Sequence, residues 1–203
     1  MPPLFCSAYL PPVSMVRMMA SSARVLVEQY DSYHKQTYRN RCVIAVADGV
    51  QTLTIPVVKS DSPKQLMRDV RISDHGNWRH LHWNALASAY MNSPFFMYYE
   101  DDLRPIYEKR QTFLIDFNQE LLHTVLALAG INTEISLTDE FTPVNDACGL
   151  SDFRWMVEPD AQPEGNLEPY YQVFRQKNGF IPNLSVADLL FNLGPEALLY
   201  LTR

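Results

Sequence analysis

The segment 33–41 groups cationic side chains, amides and two phenols directly ahead of an apolar run, 42–46. If the strand predicted for that run begins at Arg39, the two-residue period places Arg39 and Arg41 on one face and Asn40 on the other. Two adjacent guanidinium groups offer planar pairs of permanently charged donors, which suit a phosphate or a carboxylate. The alternative is structural, since cations at a strand entrance also pair with nearby acids, here Asp31, Asp69 or Asp74.

A second group of cations lies in the polar, serine-containing segment 59–64, which predicts a loop. Its two lysines, Lys59 and Lys64, suit a loop that closes over an anion held by the arginines. Surface loops commonly carry lysines that bind no ligand, so this second interpretation stays open as well.

The segment 77–90 predicts a helix capped by Asn77, with an aromatic stripe that includes Trp78, His82 and Tyr90. We expect this stripe to pack toward the sheet and near the segment 35–41, because a large aromatic surface needs an apolar cover. His80 lies off the stripe, and histidines two positions apart on a helix diverge by about 200°, so they cannot share a metal ion. His82 therefore has two interpretations, a hydrogen-bonded core histidine or a general base.

Metal and cofactor signatures are absent from the sequence. Cys6, Cys42 and Cys148 are an odd number of cysteines without metal-ligand spacing, which indicates reduced thiols in a reducing compartment. The adjacent acids 100–102 have no further ligand cluster and predict a solvated turn. The 203 residues contain no phosphate-binding loop, dinucleotide fingerprint, nucleophile elbow or zinc-protease motif. We therefore expect no metal and no tightly held organic cofactor.

Composition restricts the class of protein. Apolar residues at 47% and charged residues at 20% are typical of a globular chain. A net charge of -6 and a pI near 5.3 argue against a nucleic-acid partner, so any anion site has to be local. No apolar run approaches the ~20 residues of a membrane span, and the N-terminus lacks a signal-peptide pattern. These features predict a cytoplasmic protein.

The first half of the chain predicts strands. Over 4–30 the pattern is that of a βαβ unit, whose two strands would be parallel. Over 41–55 an Asp-Gly pair separates two β-rich runs, which predicts an antiparallel hairpin. The segment 69–73 predicts a further strand. The segment 33–41 would then follow the C-terminal end of the second strand, where ligands gather in open α/β sheets.

The second half predicts helices, from 77 to 90 and from 111 to 129, followed by a strand. Residues 138–169 lack periodicity and predict an irregular excursion from which Trp155 docks on the core. Residues 185–203 predict docking helices that begin at Ser185, with Asp188 completing a capping box. We expect one domain over residues 1–203. We also expect an α/β fold, in which a mixed sheet begins with a βαβ unit and a β-hairpin, and the helical second half packs against this sheet.

Several longer motifs identify a family. They are Tyr9-Leu10-Pro11-Pro12, Lys35 to Arg41, Leu53-Thr54-Ile55-Pro56-Val57, Trp78 with His82-Trp83, Ser88-Ala89-Tyr90 through Ser93-Pro94-Phe95-Phe96, and Asn183-Leu184-Ser185 to Gly194. In these motifs the chain resembles the WbqC-like family, bacterial proteins encoded among surface polysaccharide (O-antigen) biosynthesis functions. The resemblance spans most of the chain, and residues 138–169 carry little of it.

The resemblance implies a transferase that moves glycine or another amino acid or acyl group onto a sugar or nucleotide-sugar. Its partner would be a nucleotide-sugar, a sugar phosphate or an amino acid. The alternative is a non-catalytic ligand-binding or scaffold protein, and a titratable group beside the arginines favours the enzyme. The candidate catalytic residues are His82 and Lys35. The candidate substrate-binding residues are Tyr9, Gln36, Tyr38, Arg39, Asn40, Arg41, Trp78 and Tyr90.

Overall fold

The fold is described from a computed structural model that defines residues 2–60, 64–143, 151–161 and 167–202. In chain order the strands are β1 (Leu4–Cys6), β2 (Arg24–Glu28), β3 (Arg41–Val46), β4 (Gly49–Thr54) and β5 (Glu134–Leu137). The α-helices are α1 (Val13–Ala20), α2 (Trp78–Tyr90), α3 (Phe96–Glu108), α4 (Leu114–Leu128), α5 (Arg175–Asn178), α6 (Val186–Leu193) and α7 (Ala197–Leu201). Turns of 3-10 helix lie at Met67–Asp69, His75–Asn77, Arg154–Val157 and Gly194–Glu196.

A parallel sheet with β2 at its centre forms one layer of the fold. β1 pairs with β2 in parallel and α1 connects them, so the predicted βαβ unit is confirmed. β5 pairs with the other side of β2, also in parallel. Because the chain leaves β2 at its C-terminal end, the segment 33–41 lies beyond that edge of the sheet, as expected.

The predicted hairpin is also confirmed, and it forms a separate two-stranded sheet. β3 and β4 pair antiparallel with Val46 opposite Gly49, so that Ala47 and Asp48 make a two-residue turn. The strand predicted over 69–73 does not form. A 3-10 turn precedes it, and only Arg71 and Ile72 make single bridges, each to a different segment.

The aromatic helix predicted over 77–90 is confirmed as α2. His82 is buried and His80 is exposed, in agreement with the predicted stripe. Asn77 occupies the N-cap position as predicted, but its side chain makes no capping hydrogen bond and its backbone is left-handed, with φ of 47°. The acids 100–102 lie on α3 instead of forming a solvated turn.

Helices α6 and α7 dock on the core, as predicted for the C-terminal segment. The Ser185 hydroxyl accepts a hydrogen bond from the Ala187 N–H, which confirms this cap. Asp188 does not complete a capping box, because its carboxylate is buried and accepts from two tyrosines. Gly194 ends α6 with φ of 54°, and a Cβ on it would lie 2.5 Å from the Phe95 ring, so only glycine fits there.

The described parts of the excursion dock through different residues than predicted. Trp155 is 40% exposed, whereas its neighbours Met156 and Val157 are buried. The chain at Asp152 runs beside β1, with the Leu4 N–H donating to Ser151 O at 2.9 Å. The segment around 151–157 thus covers the outer edge of β1.

The predicted α/β class is confirmed, with the parallel strands and the hairpin in two sheets and helices dominating the second half. One cluster of buried side chains joins the sheets and helices, and its largest fully buried members include Tyr9, Tyr90, Phe117 and Phe191. Within the residues that the structure describes, no helix combines the length and apolar character needed to cross a membrane.

Candidate functional site

Backbone hydrogen bonds hold the segment 33–41 beside the end of β1 and the 3-10 turn near residue 157. The Tyr38 carbonyl accepts from the Tyr9 N–H at 2.9 Å, and the Tyr38 N–H donates to Val157 O at 2.8 Å. β3 begins only at Arg41, and Arg39 lies in the turn before it. The prediction that Arg39 and Arg41 share one strand face is therefore wrong, because this turn interrupts the strand period.

Arg39 is a structural cation. Its side chain is 4% exposed, with Nη2 3.1 Å from Asp31 Oδ2 and Nη1 3.5 Å from Glu158 Oε1. Nη2 also donates to Cys6 Sγ at 3.1 Å. Of the two interpretations of the arginines, ion pairing thus describes Arg39.

Arg41 has a different environment. Strand alternation places it on the face of β3 opposite the buried Cys42 and Ile44. Its Nε–H is buried without an acceptor among the described residues, and so is the hydroxyl of Tyr33. Burial raises the pKa of Tyr33, and the charges of Arg41 and Arg39 oppose that rise, so both guanidinium groups act on this phenol. Buried polar groups without partners are uncommon, and a ligand is one way to satisfy them.

A cavity of about 300 Å³ opens beside Tyr33, and we call it the cation cavity. Lys35 and Lys59 both line it, and no carboxylate occurs among the lining residues in the described ranges. The two walls are joined where the Tyr33 N–H donates to Gln65 O at 2.7 Å. The loop lysine Lys59 thus lies beside the segment 33–41, as the closing-loop interpretation requires. We define the cation cavity by Tyr33, Lys35, Val57, Lys59 and Gln65.

His82 belongs to a buried hydrogen-bonded cluster. Tyr9 Oη lies 3.0 Å from His82 Nδ1 and 2.9 Å from Tyr107 Oη. Desolvation lowers the pKa of His82 to about 4, although a hydrogen bond with the Thr54 backbone acts to raise it. The ring is therefore neutral at pH 7. The ring does not line the cation cavity. This arrangement matches the core-histidine interpretation.

The remaining candidates occupy separate places. Tyr90 is fully buried and bonds Asp188, and the Asn40 amide donates to Ile55 O at 2.9 Å. Gln36 is exposed in a turn, with φ of 67°. Trp78 packs edge-on against His82, and it lines a cleft between α2 and α3. Tyr38 lines a largely apolar trough with Phe180.

A crevice of about 360 Å³ lies at the C-terminal ends of β1 and β2, lined in part by Asp31 and Arg39. Below it the fully buried Glu28 lies 3.6 Å from Arg154, which also binds Asp152 at 2.6 Å. Burial raises the pKa of the adjacent Cys6 thiol to about 12, which makes it a poor nucleophile. The pair between Arg154 and Glu28 of β2 holds the segment around residue 154 against the sheet.

The sequence led to Lys35 and Arg41 as candidates and did not select Tyr33 or Gln65, which also lie at the cation cavity or its wall. The wall that carries Gln65 reaches Tyr33 through a single bridge between Ser32 and Leu66, which leaves no periodic signal in the sequence. No group of three or more metal-ligating side chains is assembled within the described ranges. Cys6 and Cys42 are buried free thiols, and Cys148 lies outside the described residues.

The model of the WbqC-like protein family matches residues 7–157. An "Uncharacterized protein Rv1507c" of Mycobacterium tuberculosis (strain ATCC 25618 / H37Rv) is 29% identical over 219 residues, which cover 96% of this chain and 94% of that protein. No solved structure matches the chain.

Proposed function

The chain belongs to the WbqC-like protein family, and from that premise we propose that it transfers an aminoacyl or acyl group to or from an anionic small molecule bound in the cation cavity. The substrate class is a nucleotide-sugar, a sugar phosphate or an amino acid, and the setting is surface polysaccharide (O-antigen) biosynthesis. The observation that carries the proposal is the set of unpaired donors at one place, the Tyr33 hydroxyl and Arg41 Nε beside a cavity lined by Lys35 and Lys59.

Charge argues that the ligand is an anion. The protein has a net charge of -6, yet the described lining of this cavity contains two lysines and no carboxylate. Such a local cationic region attracts a negatively charged group, and donors already fixed by burial lose little freedom when they bind it. The phosphate of a nucleotide-sugar and the carboxylate of an amino acid both meet this requirement.

For group transfer we assign roles to Lys35 and Tyr33, which line the cavity, and to Arg41 beside Tyr33. The attacking amine or hydroxyl loses a proton, and an oxyanion develops on the carbonyl under attack. Lys35 and Lys59 are the two amines at the cavity, and we assign proton transfer to Lys35, which lies on the segment 33–41. The Tyr33 hydroxyl and Arg41 are the donors that we assign to the oxyanion or to the substrate anion. His82 is buried in the Tyr9 cluster, and we assign it a structural role.

A second candidate function is non-catalytic binding of the same ligand class. It is favoured by the position of His82, which lies in the core and leaves the cavity without a histidine among its described lining residues. The two functions share the binding step and differ in turnover, so one set of variants tests both.

The binding step is tested by thermal-shift screening against nucleotides, sugar phosphates and amino acids, followed by calorimetry on the stabilising compound. We expect Arg41→Lys and Lys35→Gln each to weaken binding about tenfold or more, because each removes a charge-assisted hydrogen bond of roughly 1.5–3 kcal/mol. Arg175→Gln is the matched control, since Arg175 is exposed on α5 and does not line the cavity. Unchanged affinity in both cavity variants would contradict the proposed site.

Turnover is tested by incubating the protein with pooled nucleotide-sugars, amino acids and ATP and detecting new products by mass spectrometry. We expect Lys35→Ala to abolish product formation and His82→Gln to leave it. Turnover that survives in Lys35→Ala refutes the role of Lys35, and saturable binding without product establishes the binding-protein alternative.

A further inference from the structure

The cleft between α2 and α3 contains a group of arginines that the proposed function does not use. We call it the helix cleft, and its volume is about 510 Å³. It shares no lining residue with the cation cavity. The lining residues that matter for its chemistry are Trp78, Arg79, Trp83, Arg104 and Arg110.

Two buried donors in the helix cleft have no acceptor among the described residues, the indole Nε1–H of Trp78 and the Nε–H of Arg79. Trp78 is 4% exposed, and both Trp78 and Arg79 line the cleft. The Arg79 guanidinium carbon lies 4.6 Å from the centre of the Trp78 ring, which brings the two groups together. Two adjacent N–H groups without acceptors indicate a ligand that carries oxygen acceptors.

The charges around the cleft favour an anion. Asp74 forms ion pairs with both Arg79 and Arg110. The Nη1 atom of Arg110 lies 3.8 Å from Asp74 Oδ2. Arg104 pairs with Glu108 at 2.9 Å. The side chains of Asp74 and Glu108 are 56% and 63% exposed, respectively. Ion pairs of such exposed groups are weak. Arg104 also lies 3.8 Å from Glu100, which does not line the cleft. Among the lining residues, three arginines therefore face two acids, Asp74 and Glu108, whose pairing a stronger acceptor can displace.

We propose that the helix cleft is a second anion site, which binds the phosphate group of a small molecule through Trp78 Nε1 and the guanidinium groups of Arg79 and Arg104. A phosphate presents several oxygens in a tetrahedral arrangement, so it can accept from the indole and from two guanidinium forks at once. A carboxylate has two oxygens and satisfies fewer of these donors. The site therefore prefers phosphate and diphosphate to a simple carboxylate.

The test uses inorganic pyrophosphate as the probe and tryptophan fluorescence as the readout, at constant ionic strength. The chain has three tryptophans, and Trp155→Phe leaves Trp78 and Trp83, both of which line the cleft. In this background we expect a saturable fluorescence change with pyrophosphate and none with acetate. Arg79→Lys and Arg104→Lys should each weaken binding about tenfold, because lysine cannot reproduce a guanidinium fork. Trp78→Phe should weaken it similarly, with Trp83 as the remaining reporter.

Two control variants separate this site from other effects. Arg175→Lys changes an exposed arginine outside the cleft, and Arg41→Lys changes the region of the cation cavity, so both should leave the pyrophosphate affinity unchanged. A fluorescence change that does not saturate, or equal affinity in Arg79→Lys and Arg104→Lys, would overturn the site. An equal loss in Arg41→Lys would assign the binding to the cation cavity instead. Arg104 is half-exposed, so its variant keeps the test valid if Arg79→Lys does not fold.

Discussion

His82 shows how a residue type suited to catalysis is explained by its neighbours. Its ring lies between Tyr9 and Trp78, and it is 6% exposed. Desolvation disfavours the charged imidazolium, and no carboxylate in the described chain hydrogen-bonds the ring to compensate. The neutral ring therefore completes a buried polar cluster within the core.

The lowered pKa of His82 makes a specific prediction about acid stability. The folded-state pKa is about 4 and the ordinary value is 6.5, so between these values the unfolded chain binds more protons. The free energy of unfolding should therefore fall as the pH drops from 6.5 to 4, by up to about 3 kcal/mol from this group. Urea unfolding across this range should show a smaller loss for His82→Gln than for the unmodified chain.

His80→Gln is the control for this prediction, because His80 is exposed on the same helix. It should keep the full loss of stability on acidification. If His82→Gln and His80→Gln lose stability in parallel with the unmodified chain, His82 is not the group that titrates.

The two arginines mark what the sequence could and could not predict for single residues. It identified the segment 33–41 and both interpretations of its cations. The structure gives Arg39 ion pairs with Asp31 and Glu158 and places Arg41 at the start of β3, and the Nε–H groups of both arginines lack acceptors among the described residues. The difference depends on one turn that keeps Arg39 out of β3 and brings it to Asp31. No local pattern encodes that choice, because the partners Asp31 and Glu158 reach Arg39 through the tertiary fold.

Among the elements, α2, β3 and α6 meet at a buried, hydrogen-bonded junction. The Tyr90 hydroxyl on α2 donates to Asp188 Oδ1 on α6 at 2.9 Å and accepts from the Ala45 N–H of β3 at 3.1 Å. Asp188 also accepts from Tyr170 at 2.6 Å and from Gln172 at 3.1 Å. Burial raises the pKa of Asp188, and these donors oppose the rise. The carboxylate thus depends on hydroxyl groups from separate segments.

Removing one of these hydroxyls should destabilise the junction. Tyr90→Phe leaves the Ala45 N–H without an acceptor and takes one donor from the buried Asp188, so we expect a loss of about 3 kcal/mol in the free energy of unfolding. Tyr98→Phe is the control, because the Tyr98 side chain is largely exposed on α3. Chemical denaturation measures both, and a similar small change in the two variants would contradict this role of Tyr90.

Elements with strong local signals were predictable, and those defined by distant partners were not. The hairpin follows from Asp48-Gly49 between two β-rich runs, and α4 from its apolar stripe. The prediction for 69–73 was wrong because its alternating pattern lacks a neighbouring strand of matching length. The sequence also placed Asp188 in a capping box, since nothing local reveals the tyrosines that bind it.

At the scale of the whole molecule, the core extends beyond the residues matched by the family model. That match ends at residue 157, whereas Leu189, Leu190 and Phe191 of α6 are fully buried. The Phe191 ring lies 5.0 Å from the Phe96 ring and 5.2 Å from the Tyr90 ring. The C-terminal helices therefore supply part of the same core as the first half.

A chain that ends at residue 157 should fail to fold cooperatively, because it exposes the apolar surfaces of α2 and α3 that α6 covers. We expect a broad thermal transition and binding of a hydrophobic dye, compared with a sharp transition for the full chain. A chain that ends at Leu201 is the control and should behave like the full chain. A sharp transition for the shorter chain would contradict the single domain predicted over 1–203.

The parallel sheet also has a consequence for the order in which the chain can fold. Thr138, just after β5, bonds Glu28 at the end of β2, and these residues are 110 positions apart in sequence. To form this pair, the chain must first close a long loop. The conformational entropy lost in closing the loop is not offset until the contact forms, so folding is slow. During synthesis on the ribosome, one side of β2 therefore stays unpaired until most of the chain has emerged. Over that interval its apolar residues are open to association with other nascent chains or to a chaperone.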